Sequence, residues 1–329
     1  MKEEDIRPIN LMEEGENLHK KDAEELLNNK EFFKEIACPA CNSKNYHIIF
    51  NKSGFSFVVC ENCETVFINP RPAHEVLVDF YENSESIKYW NDKIFPASEN
   101  VRRSQIFLPR AKKVIDLCKK YNTENEAIFD VGGGYGTFCE EIKKLNIFKR
   151  VVSVEPSKGL ADTCRRKGIE VIEKPIEDVG MERASVITNF ELIEHLFSPR
   201  DFIIACHKAL SRDGLLFLTT PNIKGFDLMI LDELSDNIGG PNHLNYFNCE
   251  SLSYLLQSCG FKVEEVITPG RLDAEIVRNK ILSGDLDISN QPFLKYVLID
   301  KWEKIGLNFQ NFLAENALSS HLWVVARKL

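Results

Sequence analysis

Cys38 and Cys41, then Cys60 and Cys63, stand as two C-x2-C knuckles with 18 residues between them. Each knuckle is a tight turn that aims two thiolates at one point. The spacing falls in the range of a tetrahedral four-cysteine zinc site. Four thiolates close the coordination shell, whereas catalytic zinc keeps a position open for water or substrate. The expected ion is therefore structural, supplying folding energy to residues 38–72, a stretch too small for a core of its own.

A second constellation starts at Ala127-Ile128-Phe129-Asp130-Val131, an apolar run carrying one carboxylate, and continues through Gly132, Gly133, Gly134 and Gly136. Without Cβ atoms, glycines let the backbone turn sharply and approach a ligand closely. The helix expected next presents free N–H groups at its start. The loop reads GxGxG, with Thr137 where a dinucleotide-binding GxGxxG loop has its third glycine. Asp130 would oppose a pyrophosphate but suits a cationic amino-acid group. Glu155 follows the next strand candidate, 21 residues past Gly134, where a carboxylate accepts hydrogen bonds from both ribose hydroxyls. The loop reads as a cradle for a nucleoside cofactor.

The elements around these residues are those of an α/β protein. Strand candidates lie at 127–131, 150–155, 169–172, 185–190 and 215–219, with helices near 137–146, 157–167 and 199–210. Short apolar strands alternating with helices imply βαβ units and a Rossmann-like, doubly wound sheet covered on both faces. A helix at 251–258 leads through Gly260 into a strand at 262–268, and the last strand is expected at 321–326. Ahead of this region, residues 1–37 read as an acidic lead-in helix, with Leu26, Leu27, Phe32, Phe33 and Ile36 near helical spacing. Residues 38–72 form a zinc-ribbon-like module, 73–124 a helical linker or cap, and 125–329 the main domain, with a helical insert at 272–316.

Composition narrows the classes further. The net charge of −9 has no long basic stripe against it, which disfavours a nucleic-acid partner. Arg165-Arg166-Lys167 ends a helix, where cations complement the dipole. No apolar run approaches the roughly 20 residues of a membrane span, and the acidic start is unlike a signal peptide; the expected location is cytoplasmic. Cys118, Cys139, Cys164, Cys206, Cys249 and Cys259 are scattered singly, the pattern of small buried residues in a reducing compartment.

Residues 128–136, Glu155, residues 175–178 and residues 189–195 resemble the successive motifs of class I S-adenosylmethionine-dependent methyltransferases, a resemblance covering about 125–329. It implies a sheet of seven strands, the last antiparallel. It also implies that Asp130, Gly132 and Gly134 line the methionine moiety, that Glu155 holds the ribose, and that Ile176 and Glu177 flank the adenine. Phe190 and Glu191 would sit near the sulfonium. The four-cysteine module, Asn69-Pro70-Arg71-Pro72 and the two histidine loops together resemble a bacterial subgroup containing nucleotide-sugar C-methyltransferases and polysaccharide-locus members. That resemblance implies a nucleotide-linked or polysaccharide-precursor sugar as acceptor, and a role near substrate for Tyr81. In those sugar enzymes an acidic residue precedes the histidine equivalent to His243, where Asn242 stands here. They also carry a longer second α/β domain.

Methyl transfer from a sulfonium is an in-line displacement that depends on alignment and exclusion of water. A hydroxyl or acidic-carbon nucleophile also needs a general base, and histidine suits neutral pH. His195, ending Glu191-Leu192-Ile193-Glu194-His195, and His243, in the turn-rich run 239–247, are the candidates, with Glu191 or Glu194 able to orient His195. The expected function is methylation of a small hydroxylated acceptor. Two other readings are an O-methyltransferase of a non-sugar metabolite and a zinc-ribbon interaction protein on a non-catalytic scaffold. The scaffold reading predicts a degraded cofactor motif, whereas Asp130, the glycines and Glu155 are all present.

Overall fold

A computed structural model describes residues 3–180 and 182–329. Its N-terminal third carries β1 (Phe33–Lys34), β2 (Tyr46–Lys52), β3 (Phe55–Cys60), β4 (Val66–Ile68) and β5 (Arg71–Pro72). The remainder carries β6 (Ala127–Val131), β7 (Arg150–Val154), β8 (Glu170–Ile172), β9 (Ala184–Phe190) and β10 (Leu210–Pro221), then β11 (Asn245–Tyr246), β12 (Phe261–Ile267) and β13 (His321–Lys328).

Seven strands form the main sheet in the order β12-β13-β10-β9-β6-β7-β8. β6 to β10 run parallel, and β13 lies antiparallel between β10 and β12. This is the seven-stranded, doubly wound α/β sheet expected from the sequence. Alternation along the strands divides the core between two faces. Phe129, Val131, Ile187, Leu216 and Leu218 pack with Phe202, Ile203 and Cys206 of helix Pro199–Ala209 and with Leu252, Leu255 and Leu256 of helix Cys249–Ser258. Ile128, Val186, Leu215 and Phe217 face Val114, Ile115 and Cys118 of helix Leu108–Lys120 and Phe138 and Ile142 of helix Thr137–Leu145.

Register brings the candidate cofactor residues to one edge. Val131 pairs with Val154 and with Asn189, and Thr219 pairs with Phe190. The segments that follow these strand ends, 132–136, 155 and 190–195, therefore emerge together at the carboxyl edge, where open α/β sheets bind ligands.

The cysteine strands are joined to the main domain by the backbone. β2, β3 and β4 make an antiparallel sheet whose fourth strand is β11, from the loop that carries His243, with Asn245 opposite Phe67 and Tyr246 opposite Val66. Phe55, Phe57, Val66 and Ile68 share one apolar cluster with Leu244, Tyr246 and Leu77.

Three stretches differ from the sequence reading. The lead-in helix runs Ile9–Leu27 and stops before the apolar run does. Residues Lys30–Phe32 form a 3-10 turn, Phe33 enters β1, and Phe32 is 53% exposed. Strand pairing with Arg71–Pro72 takes the last apolar residues out of helical register. Between the expected helices at 73–82 and 101–120 the chain is helical almost throughout, with Glu85–Tyr89 and Phe95–Arg102 linked by wider turns. The stretch 272–316 holds Asp273–Ser283, Pro292–Lys295 and Trp302–Glu315, which close over Phe226 and Leu231.

Among the described residues no helix is long and apolar enough to cross a membrane. All ten cysteines are free thiols.

Candidate functional site

The two cysteine knuckles fold alike. Asn42 N–H donates to Cys38 O and Glu64 N–H to Cys60 O, each at 2.9 Å, and Asn42 and Glu64 both take left-handed backbone. The turns set Cys38 Sγ 3.5 Å from Cys63 Sγ and Cys41 Sγ 3.5 Å from Cys60 Sγ, with all four sulfurs within 4.8 Å of one another. Four thiolates at about 2.3 Å from a central ion fit that separation closely. Thr65 Oγ1 lies 3.2 Å from Cys63 Sγ.

At the carboxyl edge lies a cavity of about 840 Å³ whose wall includes Asp130, Gly132, Gly133, Gly134, Phe190 and Glu191. A Cβ built on Gly134 meets nothing within 4 Å, so the missing side chain leaves open space against the backbone. That gap is the kind a nucleoside or amino-acid moiety fills. Gly133 is glycine for another reason: its Cβ would stand 2.3 Å from Ser153 Oγ.

Asp130 accepts a hydrogen bond from Thr188 Oγ1 at 2.7 Å. Burial pushes its carboxyl up to about 7, against the stabilising pull of Thr188 and Arg110. Glu155 is placed at the loop but does not line the cavity. Its Oε2 accepts Gly134 N–H and its Oε1 accepts Ser157 N–H, both at 3.0 Å, and burial raises its carboxyl above the ordinary range. The same two bonds hold the Gly134 turn against β7. Ile176 is buried in the core and Glu177 sits beside it on a 3-10 turn; neither lines the cavity.

Glu191 adopts left-handed backbone with φ 53°, a conformation that a non-glycine residue holds only where its surroundings impose it. Thr219 Oγ1 donates to its Oε1 at 2.6 Å, and His321 Nδ1 lies 3.5 Å away. His321 and Arg110, both on the cavity wall, are residues that the sequence reading missed. The Arg110 guanidinium stacks over the Phe190 ring at 4.3 Å and faces Glu191 and Asp130. Arg7, Arg102, Lys113 and Arg271 also reach the cavity.

His195 and His243 stand together, their ring centroids 4.8 Å apart. His195 Nδ1 bonds Asn242 O at 2.7 Å and His243 Nδ1 bonds Asn237 O at 3.0 Å. Burial lowers both imidazoles; His243, with His195 and Arg7 beside it, falls to about 3. Both rings are therefore neutral near neutral pH. Tyr81 joins them: its hydroxyl reaches His195 O and Asn242 O, each at 3.4 Å. Glu194 is fully buried, and burial raises its carboxyl well above the usual range. His19, from the lead-in helix, lies 3.4 Å from Asn242 Nδ2. Arg7 links this cluster to the cavity, since it lines the cavity and donates to Asn237 Oδ1 at 2.8 Å.

Arg71 anchors the arrangement. It is wholly buried, and it donates to Ile68 O, Phe197 O, Leu244 O and Asn245 Oδ1 at 3.0–3.2 Å. Asn245 Nδ2 donates in turn to Ile193 O, Glu194 O and Leu196 O. Burial without a carboxylate partner lowers the guanidinium to about 9, still charged at neutral pH.

The strand order, the antiparallel β13 and the glycine loop after β6 define a class I S-adenosylmethionine-dependent methyltransferase fold. Residues 102–266 match the family model described as a methyltransferase domain, and the chain belongs to that family. Similar curated proteins include a probable S-adenosylmethionine-dependent methyltransferase of Mycolicibacterium smegmatis, 30% identical over 29% of this chain and 34% of that protein. The C-methyltransferase NovU of Streptomyces niveus is 25% identical over 48% of this chain and 38% of that protein. A mitochondrial ubiquinone biosynthesis O-methyltransferase of Dictyostelium discoideum is 25% identical over 44% of this chain and 52% of that protein. The chain thus spans between about a third and a half of these relatives' lengths. A solved SAM-dependent methyltransferase from Archaeoglobus fulgidus superposes with a TM-score of 0.47 at 17% identity, covering 72% of this chain and 100% of that one.

Proposed function

We propose that this protein transfers a methyl group from S-adenosylmethionine to an anionic, hydroxylated small molecule, a nucleotide-linked or polysaccharide-precursor sugar being the preferred acceptor. The observation that carries the reading is the cavity at the carboxyl edge, open at Gly134 beside Asp130. The bound cofactor would supply an electrophilic methyl on a sulfonium. Asp130 would hold its ammonium group, Gly132 and Gly134 its methionine chain, and Glu155 its ribose, with Ile176 and Glu177 flanking the adenine and Phe190 and Glu191 near the sulfur. Arg110 has its guanidinium on the same wall, able to face a carboxylate.

The preference for an anionic acceptor rests on the wall opposite the loop. Arg7, Arg102, Lys113 and Arg271 gather there in a chain of net charge −9, a local reversal of sign that draws phosphate or carboxylate groups. O- and C-methylation both remove a proton from the acceptor. His195 and His243, neutral and adjacent, supply the site for that proton, and Tyr81 steadies the loop carbonyls between them. Cys38, Cys41, Cys60 and Cys63 would hold a zinc ion whose role is to fold the segment that carries Arg71.

Calorimetry with S-adenosylhomocysteine tests the cofactor assignment, and absence of binding would sink it. Nucleotide sugars, free sugars and neutral phenols are then screened for S-adenosylhomocysteine release. Turnover confined to the neutral phenols removes the anionic-sugar preference. His195→Ala and His243→Ala should lose turnover and keep cofactor affinity; full activity in both would end the acid–base role.

A further inference from the structure

The histidine pair carries ligand-like features that proton transfer alone does not require. Each Nδ1 faces a backbone carbonyl, Asn242 O for His195 and Asn237 O for His243. A carbonyl only accepts, so each ring carries its proton on Nδ1 and a lone pair on Nε2. Metal-bound histidines are oriented in this same way, the second ring nitrogen donating to a carbonyl or carboxylate. Beside them, Glu194 divides its two oxygens. Oε2 accepts Thr220 Oγ1 at 3.0 Å, whereas Oε1 is buried with no hydrogen-bond partner and lies 4.0 Å from His195 Nε2. One ligand atom from each of Glu194, His195 and His243 lies within 4.8 Å of the others. An ion bonded at about 2.0–2.2 Å to nitrogen and oxygen needs only a small contraction of that triangle. Asn242 Oδ1, next in the chain to His243, is another buried oxygen without a partner.

We propose that Glu194, His195 and His243 form a second metal site, distinct from the four cysteines, for a borderline divalent cation such as zinc or cobalt. Two imidazoles and a carboxylate suit that class, and three protein ligands leave a coordination position open to a substrate oxygen. The site also gives the orphaned Glu194 oxygen a partner, which a buried carboxylate otherwise lacks. Its role rests on the methyltransferase reading. An acceptor hydroxyl bound there becomes acidic and releases its proton to solvent before its oxygen takes the methyl and the carbon–sulfur bond breaks. The imidazoles then serve as ligands and take no proton.

The test is a cobalt titration of the full chain with its cysteine site already filled with zinc, followed by absorption and by metal analysis. Wild type should bind one cobalt per chain with the weak visible bands of nitrogen and oxygen ligation. Glu194→Gln and His243→Gln should each weaken that binding at least about tenfold, and His195→Gln serves as a third variant should one of them fail to fold. No cobalt bound in wild type, or unchanged binding in the folded variants, overturns the site. S-adenosylhomocysteine affinity is measured on the same samples: its presence without cobalt binding ends only the metal proposal, and its absence with cobalt binding ends only the cofactor reading.

Discussion

Arg71 donates to Asn245 Oδ1 at 3.0 Å, and Asn245 donates onward to the carbonyls of Ile193, Glu194 and Leu196. One pair of side chains thus couples the segment after the cysteine knuckles to both histidine loops. Replacing Arg71 by Leu leaves the Asn245 oxygen and three carbonyls without their charged donor. Stability should fall by about 2–4 kcal/mol, the range for breaking a buried charged network. Turnover should drop at least about tenfold while S-adenosylhomocysteine affinity stays within about twofold, because the glycine loop lies outside the network. Calorimetric melting with single-turnover kinetics checks both.

Cys41→Ser tests the same connection from the metal side. A structural four-cysteine site contributes folding energy directly, and β11 depends on the β2–β4 sheet for its pairing. The variant should lose its cysteine-bound zinc by metal analysis and melt several degrees lower. Its activity should fall further than its cofactor affinity. Full activity in a zinc-free variant would detach the module from catalysis.

The glycine loop yields a contrast within three residues. Gly133→Ala drives a Cβ to 2.3 Å from Ser153 Oγ and should cost stability by overpacking, about 1–3 kcal/mol. Gly134→Ala meets nothing in the protein; its φ of 53° costs about 1 kcal/mol. The second change should nonetheless weaken S-adenosylhomocysteine binding at least about tenfold, or about 1.4 kcal/mol, since its methyl fills space reserved for the ligand. Equal affinity in Gly134→Ala would place the cofactor elsewhere.

Asp130 predicts opposite pH slopes for stability and for binding. Its folded carboxyl titrates near 7, well above the ordinary aspartate value of 3.8. The native state therefore holds more protons than the unfolded one between those limits, and this group's contribution to stability falls as pH rises through the window. A cationic ligand favours the ionised form, so cofactor affinity should rise by up to about tenfold per pH unit between about pH 5 and 7. Asp130→Asn should flatten both curves. Isothermal calorimetry and thermal melts across that range give the answer.

The parts of this molecule legible in sequence are those set by local pattern. Apolar runs fixed the sheet strands to within a few residues, the glycines marked the loop after β6, and paired cysteines marked the knuckles. Asp130 and Glu191 were found because they adjoin strand ends. Arg71, Arg110 and His321 were not, because nothing beside them in the chain distinguishes a buried guanidinium or a cavity imidazole from an exposed one. Arg71 is recognisable only through partners up to 174 positions away. β11 escaped for the same reason: two residues carry no periodicity, and Asn245–Tyr246 is a strand only because Phe67 and Val66 lie opposite. The lead-in helix looked separate, yet it brings Arg7 and His19 to the histidine cluster.

The pairing of β11 with β4 also orders events in time. Strands so far apart in the chain meet only after a large loop has closed, and loop closure is an entropic cost borne before the contacts that repay it. The glycine loop and Glu155 come from neighbouring βαβ units and can assemble early. The histidine loop is complete only when the first and last thirds of the polypeptide have found each other. A newly made chain would therefore acquire a place for its nucleoside before it acquires the means to act on an acceptor, and a partly folded copy would bind without turning over.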